Sequence, residues 1–308
     1  MEKTKLLLIG YSSFARRRLI PSINRNNKFS YCICSKSNKI DFSKKIFYNN
    51  YQDALKKFKP DIVYISTVNS THYEYSKKIL EKGFNVIVDK PATLNIKTTK
   101  KLLQIAKRKK LLFAEATLFN YHRVFDVIKK LSNGTSQIEH IQSNLNHPLE
   151  KSINKIANIN GDCEYDMSPY AAAIIRLFMS DSFKNLNVNR SYFKNTKLVK
   201  NFYIKKNTKT CTYFGNFAVQ REYNQQIIFY TKDRIIYSPK RIFALPHNKN
   251  LEITLKTKNM IKKIKVKKDD CIKNFFNLVL TALKDKKYGF FYKNILVDAK
   301  IRNIIKIN

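Results

Sequence analysis

The sequence predicts an α/β fold that opens with a doubly wound parallel sheet. A short apolar strand at Lys5 to Ile9 runs directly into a turn and a helix, and a complete strand, helix, strand unit lies between Asp61 and Pro91. Parallel strands joined by a helix form right-handed crossovers in such sheets. The 308 residues are enough for two domains, which we place at 1–119 and 120–308.

The first strand is followed at once by the segment 10–15, which we call the phosphate loop, and a helix begins near its end. A dinucleotide-binding turn needs small residues for the tight turn, for close approach to pyrophosphate and for helix packing. Gly10, Ser12 and Ala15 stand at these places, so two glycines of the motif are replaced. An ordinary strand-to-helix turn is the alternative. The candidate cofactor-binding residues are Gly10, Ser12, Ser13, Phe14 and Ala15.

The second strand, Phe29 to Cys34, ends in Ser35 and Lys36, where a dinucleotide-binding domain places an acidic residue on the adenosine ribose. No carboxylate stands at these two positions. A serine and a lysine suit the 2'-phosphate of NADP(H), so we expect NADP(H) to be preferred, with NAD(H) possible. The alternative is that Lys36 is one more surface lysine.

In the unit from Asp61 to Pro91, Ile62 to Ile65 and Val86 to Val88 are short buried strands, and Tyr73 to Lys82 is an amphipathic helix. Ligands of doubly wound sheets bind beyond the carboxyl ends of the strands. We therefore expect the residues that follow the two strands to form one rim of a site. These further candidate cofactor-binding residues are Ser66, Thr67, Asn69 and His72 after the first strand, and Asp89 and Lys90 after the second.

Later segments complete the prediction. Asn95 can cap a helix, and Leu111 to Glu115 is a sixth strand. Gln226 to Tyr230 and Ile235 to Tyr237 flank a hairpin turn, and Leu251 to Leu255 alternates as a half-buried strand should. Further helices are predicted at Glu164 to Met179, Asp270 to Leu283 and Asn294 to Ile305.

The formal net charge of +38 would ordinarily point to nucleic acid or a membrane surface. The lysines are spread through every segment, and clusters such as Lys107 to Lys110 and Lys262 to Lys268 lack the interleaved aromatics of a base-stacking surface. We expect a solvated basic surface that attracts anionic substrates, and no nucleic-acid partner. A polyanion-binding face is the alternative.

The five scattered cysteines indicate reduced thiols in a cytoplasmic protein, and the apolar runs are too short or too charged for a signal peptide or membrane insertion. The histidines show no metal-ligand spacing, so we predict no metal.

Four stretches carry a family resemblance: Gly-x-Ser-x-x-Ala after the first strand, DIVYISTVNSTHYEYSKKILEKGFNVIVDKP, AEATLFNYHRVF and GDCEYDMSPYAAAIIRLF. Together they resemble the Gfo/Idh/MocA oxidoreductases, which include glucose-fructose oxidoreductase and inositol dehydrogenase. The resemblance spans the chain, strongly through residue 125 and more loosely beyond residue 180. The family's Glu-Lys-Pro stands here as Asp89-Lys90-Pro91, and its Asp-x-Gly-x-His as the segment from Asp166 to Tyr170.

The resemblance implies an N-terminal Rossmann domain and a C-terminal α+β domain with a mostly antiparallel open sheet that binds substrate. We expect the three later helices to pack on one face of that sheet, and a homodimer or homotetramer paired through the other. The resemblance also implies an NAD(P)-dependent sugar oxidoreductase. By the same resemblance, His72 and Glu115 are expected near the cofactor and His122 near the cleft. For His72, a purely structural hydrogen bond is an equal alternative.

The candidate catalytic residues are Lys90, Tyr170 and Asp166. Reducing a sugar ketone needs a proton donor within hydrogen-bond reach of the carbonyl oxygen. Lys90 would stabilise negative charge on that oxygen, and a nearby ammonium would favour the ionised form of Tyr170 and so ease its proton exchange. Asp166, one helical turn before Tyr170, could orient substrate or lysine.

Tyrosine in place of the family's histidine occurs in relatives that act on nucleotide-linked keto sugars. The resemblance therefore favours a nucleotide sugar as substrate, in surface-glycan synthesis. Two alternatives stay open: an NAD-dependent dehydrogenase of free sugars or polyols, and a non-catalytic nucleotide-binding relative. The second is favoured by the replaced glycines at Ser12, Ala15 and Ser168.

Overall fold

The structure is a computed structural model that describes residues 2–36, 47–93, 95–148, 162–179, 186–220 and 222–307. The chain divides into two compact units. The first consists of Met1–Ala116 with Ile272–Leu296, and the second of Thr117–Cys271 with Val297–Asn308. The division that we placed at residue 119 did not include the return of residues 272–296 to the first unit.

A parallel sheet forms the centre of the first unit, in the order β3-β2-β1-β4-β5-β6. Its strand order reverses between β1 and β4, and β4 is buried along its whole length, as expected for a strand covered on both faces. The predicted doubly wound sheet is confirmed. The strands are β1 (Thr4–Ile9), β2 (Phe29–Cys34), β3 (Phe47–Tyr48), β4 (Ile62–Ile65), β5 (Asn85–Asp89) and β6 (Phe113–Ala116).

Side-chain caps begin two helices of this unit. The Asn50 side chain accepts a hydrogen bond from the backbone N–H of Gln52 at 2.7 Å, and Asn95, the predicted cap, accepts from Thr98 at 2.9 Å. A π-helical turn at Ala15–Leu19 precedes the first helix. The described α-helices between residues 2 and 116 are α1 (Ile20–Asn26), α2 (Tyr51–Phe58), α3 (His72–Glu81) and α4 (Ile96–Arg108).

The second unit is built on a larger sheet, in the order β14-β13-β12-β11-β7-β10-β9-β8. Among the described strands, β7 and β10 pair in parallel and the other neighbours are antiparallel. The predicted mostly antiparallel sheet and the hairpin of β11 and β12 are confirmed. The strands are β7 (Ile138–Pro148), β8 (Leu186–Tyr192), β9 (Val199–Asn207), β10 (Thr212–Gln220), β11 (Asn224–Thr231), β12 (Arg234–Tyr237), β13 (Leu251–Thr257) and β14 (Ile261–Val266).

Two of the described α-helices belong wholly to the second unit, α5 (Val124–Leu131) and α6 (Cys163–Phe178). The Asp162 side chain caps α6 by accepting from the N–H of Tyr165 at 3.1 Å. The buried face of α6 joins the core against β9 and β10. This helix therefore places Asp166 and Tyr170 on a fixed support.

The predicted packing of the later helices is wrong in part. The helix expected from Asp270 forms as α7 (Cys271–Asp285), but it packs in the first unit, where Phe276 meets Phe29 edge-on with ring centroids 5.0 Å apart. The next helix, α8 (Gly289–Ile307), begins before the predicted Asn294, and its residues as far as Leu296 also belong to the first unit. Helical periodicity identifies an apolar face without identifying the sheet that covers it.

Within the described part of the chain, no helix combines the length and apolar character that a membrane crossing requires.

Candidate functional site

Gly10 lies where the strand order reverses, and its backbone approaches that of Ser66 closely. Its φ is +95°, and an added Cβ would lie against the Ser66 carbonyl group, 2.7 Å from the carbonyl carbon and 3.1 Å from the Thr67 nitrogen. The N–H of Gly10 donates to the carbonyl of Cys34 at 2.8 Å. Glycine tolerates both the left-handed conformation and the contact because it has no Cβ.

The residues that replace the other two glycines of the loop have structural uses. The Ser12 hydroxyl accepts from the backbone N–H of Ala15 at 3.0 Å and lies 2.8 Å from the Ser66 hydroxyl, so it ties the phosphate loop to the end of β4. Ala15 is fully buried. Ser13 and Phe14 stand at the start of the helix, where backbone N–H groups have no intrahelical partner and favour anions.

Asp89 is the centre of a hydrogen-bond network at the end of β5. One carboxylate oxygen accepts from the Tyr64 hydroxyl, and the other accepts from the Ser66 hydroxyl at 2.6 Å. Burial raises the pKa of the Asp89 carboxyl, while these hydrogen bonds and the charges of His72 and Lys90 act in the opposite direction. Lys90 follows directly and is half-buried.

His72 and Glu115 fix the segment that carries Lys90. The buried His72 ring contacts two carbonyl oxygens, that of Pro91 from Nδ1 at 2.8 Å and that of Thr67 from Nε2 at 3.1 Å, and so joins the ends of β4 and β5. Glu115, also buried, accepts from the N–H of Ala92 at 2.7 Å. Both residues therefore have a structural role in the site, through these hydrogen bonds.

A cavity of about 420 Å³ brings the phosphate loop and the end of β2 together. Four of the predicted cofactor-binding residues line it: Gly10, Ser35, Lys36 and Thr67. The other predicted residues are not among the described lining residues, and Asn69 is half-buried on the turn Asn69–Thr71. No carboxylate is present among the described lining residues. Further lining residues surround the start of α2 and were not predicted from the sequence, although the paired asparagines after β3 were a signal. They are Asn49, Asn50, Tyr51 and Gln52, with Tyr75 from α3.

The two remaining candidates, Tyr170 and Asp166, lie in the second unit on α6, one turn apart. The half-buried Tyr170 ring stacks on Phe119, with centroids 5.5 Å apart and planes at 27°, and meets Phe243 edge-on at 5.1 Å. Asp166 is also half-buried. Two aromatic neighbours therefore fix the orientation of the tyrosine.

His122, the residue that the resemblance placed near the cleft, is a buried neutral imidazole of the second unit. Its Nδ1 accepts from the N–H of Val124 at 3.1 Å, which leaves the proton on Nε2. Burial lowers the pKa of His122, and the charge of Asp269 acts in the opposite direction. In the described part of the chain, no cluster of three histidine, cysteine, aspartate or glutamate side chains is placed to hold a metal ion.

Residues 4–117 match the family model GFO_IDH_MocA, described as an oxidoreductase family with an NAD-binding Rossmann fold. The resemblance that we drew from the sequence is thereby confirmed over residues 4–117.

Two curated relatives match shorter segments. One is D-xylose 1-dehydrogenase (NADP(+)) of Hypocrea jecorina, 33% identical over 84 residues, which are 27% of this chain and 22% of that protein. The other is dTDP-3,4-didehydro-2,6-dideoxy-alpha-D-glucose 3-reductase of Saccharopolyspora spinosa. It is 36% identical over 81 residues, which are 26% of this chain and 24% of that protein. The chain thus aligns with about a quarter of the length of each.

Solved structures match along nearly the whole chain. KijD10, a 3-ketoreductase from Actinomadura kijaniata solved in complex with NADP and TDP-benzene, superposes with a TM-score of 0.89 at 16% identity, covering 99% of this chain and 98% of that one. A crystal structure from Klebsiella pneumoniae gives a TM-score of 0.80 at 14% identity, covering 99% of this chain and 95% of that one. These likenesses show that the chain has the same fold as these two structures.

The close contact at Gly10 predicts a large effect of adding one methyl group. Gly10→Ala combines left-handed strain with the clash against Ser66 and should lower the free energy of unfolding by about 2–5 kcal/mol. Gly83→Ala is the matched control, since Gly83 has a φ of +89° with open space around its Cβ position, and it should cost only about 1–2 kcal/mol. Urea denaturation measures the free energy of unfolding of both variants. Equal losses of stability would contradict the close contact between Gly10 and Ser66.

Proposed function

We propose that this protein is an NAD(P)-dependent oxidoreductase that transfers hydride between a nicotinamide cofactor and a hydroxyl or keto group of a sugar. The observation that carries the proposal is the cavity that joins Gly10 of the phosphate loop to Lys36 at the end of β2. A dinucleotide needs these two places at once, one for its pyrophosphate and one for its adenosine ribose. A family model for NAD-binding domains over residues 4–117 supports the same conclusion.

We propose NADP(H) as the preferred cofactor. Lys36 offers a cation to a 2'-phosphate, and the described lining has no carboxylate that would repel it. One relative is named as an NADP(+) enzyme, and the superposed 3-ketoreductase was solved with NADP.

The substrate that we propose is a nucleotide-linked sugar, in a reaction of surface-glycan biosynthesis. A curated relative is named as a 3-reductase of a dTDP-linked sugar, and the superposed ketoreductase holds TDP-benzene. The net charge of +38 would favour the approach of a diphosphate-bearing substrate. The xylose dehydrogenase relative supports a second candidate, a free-sugar or polyol dehydrogenase.

In the proposed reaction the bound cofactor supplies or accepts the hydride. The Lys90 ammonium, held at the end of β5, would stabilise the negative charge that develops on the substrate oxygen. Tyr170 would exchange the proton with that oxygen, with its ring already fixed by Phe119 and Phe243. Asp166 would orient the substrate from the preceding turn of α6.

We also propose that the protein pairs with itself through the open face of the second sheet. Strand periodicity directs alternate residues of the central strands β7, β10 and β11 away from the core, and none of these is Lys, Arg, Asp or Glu. In a chain with 60 lysines and arginines, an uncharged sheet face is typical of a buried interface. The residues are His140, Gln142, Asn144, Asn146, Thr212, Phe214, Asn216, Ala218, Asn224, Gln226, Ile228 and Tyr230.

Light scattering during size-exclusion chromatography tests this face. The wild type should have twice or four times the chain mass of 36.3 kDa, and Phe214→Lys should dissociate it because a charge would enter the interface. The control is Ile261→Lys on the exposed edge strand β14, which should leave the mass unchanged. A monomeric wild type would remove the proposal.

Lys36→Ala tests the cofactor preference. If the ammonium contacts the 2'-phosphate, the substitution should weaken NADPH binding about tenfold or more and leave NADH binding almost unchanged. Lys56→Ala, at an exposed position of α2, controls for the loss of one positive charge. Calorimetric titration of the wild type and both variants with each cofactor gives six dissociation constants. An equal effect of Lys36→Ala on both cofactors would show that Lys36 does not contact the 2'-phosphate.

Lys90→Ala and Tyr170→Phe test catalysis itself. Each should lower turnover of nucleotide-linked keto sugars by about a hundredfold or more, since each removes a group that acts on the reacting oxygen, while circular dichroism shows an unchanged fold. Lys97→Ala and Tyr192→Phe, both at exposed positions, are the matched controls. Activity with free inositols and none with any nucleotide sugar would replace the proposed substrate by the second candidate.

A further inference from the structure

We propose that Tyr64 is a positioning residue for the phosphate loop and acts through Asp89, although its own side chain lies in the core of the first unit. The inference rests on the proposed function, because it concerns the affinity for NADPH. The four residues involved, Ser12, Tyr64, Ser66 and Asp89, are called the hydroxyl network below.

The network is a continuous series of hydrogen bonds from the sheet to the loop. The Tyr64 hydroxyl donates to one oxygen of Asp89, and the Ser66 hydroxyl donates to the other at 2.6 Å. The Ser66 and Ser12 hydroxyls are 2.8 Å apart, and Ser12 accepts from the N–H of Ala15 at 3.0 Å. The series therefore joins a buried residue of β4 to the first turn of the helix that follows the loop.

The direction of these hydrogen bonds follows from the number of hydrogens. A hydroxyl has one hydrogen to donate, and Ser66 donates its own to Asp89. Ser12 must then be the donor in the Ser12–Ser66 pair, and it accepts only from Ala15. Every hydrogen in the series is directed toward the carboxylate, so the orientation of Asp89 determines the orientation of both serines.

Tyr64 is a rigid support for that carboxylate. Its side chain is fully buried, and its ring lies 6.2 Å from that of Phe276 on α7. The hydroxyl fixes one oxygen of Asp89 and thereby directs the other toward Ser66. Without it the carboxyl group can rotate about its terminal bond, which has a broad energy minimum. Ser66 would then lose its fixed acceptor, and the phosphate loop would lose its fixed attachment.

The network also connects two places where this chain differs from its family. Ser12 replaces the second glycine of the loop, and Asp89 replaces the glutamate of Glu-Lys-Pro. Glycine has no hydroxyl to offer Ser66, and glutamate would place its carboxylate one methylene further from the backbone. The two replacements are thus mutually consistent, with Ser66 as the link between them.

Tyr64→Phe deletes the hydroxyl and leaves the ring. We expect it to weaken NADPH binding by the full-length protein about tenfold, the effect of losing one hydrogen bond to a charged group. Because Tyr64 is completely buried, it cannot contact the cofactor, and the loss has to be transmitted through the network. Tyr292→Phe is the control, since it deletes a hydroxyl that donates to the Leu111 carbonyl of the same unit, away from the network, and should leave the affinity unchanged.

A double-mutant cycle separates positioning from a general loosening of the core. In an Asp89→Asn background, Tyr64→Phe should change the NADPH dissociation constant less than about twofold, because the group through which it acts is already altered. Equal weakening in both backgrounds would overturn the inference, as would an unchanged constant for Tyr64→Phe alone. If Tyr64→Phe does not fold, Ser66→Ala takes its place in the same cycle. Equal weakening of NADPH binding by Ser66→Ala in the wild-type and Asp89→Asn backgrounds would likewise overturn the inference. Its control is Ser76→Ala, a buried hydroxyl without a partner.

Failure of this inference and failure of the proposed function give different results. If the wild type binds NADPH and Tyr64→Phe binds it equally well, the role of Tyr64 is removed and the oxidoreductase proposal stands. If the wild type does not bind NADPH, the proposed function is removed and the role of Tyr64 with it.

Discussion

The close approach of Gly10 to the Ser66 carbonyl is the constraint on which the candidate site depends. At this point the strand order of the first sheet reverses, so the connections that follow β1 and β4 lead to opposite sides of the sheet, which is where ligands of such sheets bind. The left-handed φ of Gly10 turns the chain away from β1, and the absence of a Cβ lets the loop pass over β4. The cavity toward Lys36 and the serine contact between loop and strand both follow from this turn.

Around this turn, polar side chains hold the strand ends in place. Asp89 connects β5 to Tyr64 and Ser66 of the neighbouring strand segment, and His72 connects Thr67 to Pro91 on the other side of Lys90. Burial of these groups is costly unless each finds a partner, and the hydrogen bonds supply the partners. Lys90 is thus attached to a segment with little freedom, which is what a residue that must act on a reacting oxygen requires.

The sequence predicted those features that local rules determine. Gly10, the Asn95 cap and the hairpin of β11 and β12 each have a signature within a few residues, and family resemblance added the second sheet. Long-range packing was beyond such rules. The apolar face of α7 was visible, but its contact with Phe29 in the first unit was not. The role of Tyr64 could not be predicted from the strand pattern either, because its hydroxyl partner, Asp89, lies on another strand, 25 positions later. The roles proposed for Lys90, Tyr170 and Asp166 stay predictions.

The central claim is that the loop around Gly10, with Ser12 and Ala15 in place of glycines, still binds a dinucleotide. Calorimetric titration with NADPH and with NADH, each at low and raised salt, tests it most directly, because salt screens nonspecific attraction to so basic a surface. If the loop binds a dinucleotide, NADPH binding should be saturable, should survive the raised salt and should be tighter than NADH binding. Binding of neither cofactor, or heat signals that vanish with salt, would show that the loop does not bind a dinucleotide and would favour a non-catalytic relative of the fold.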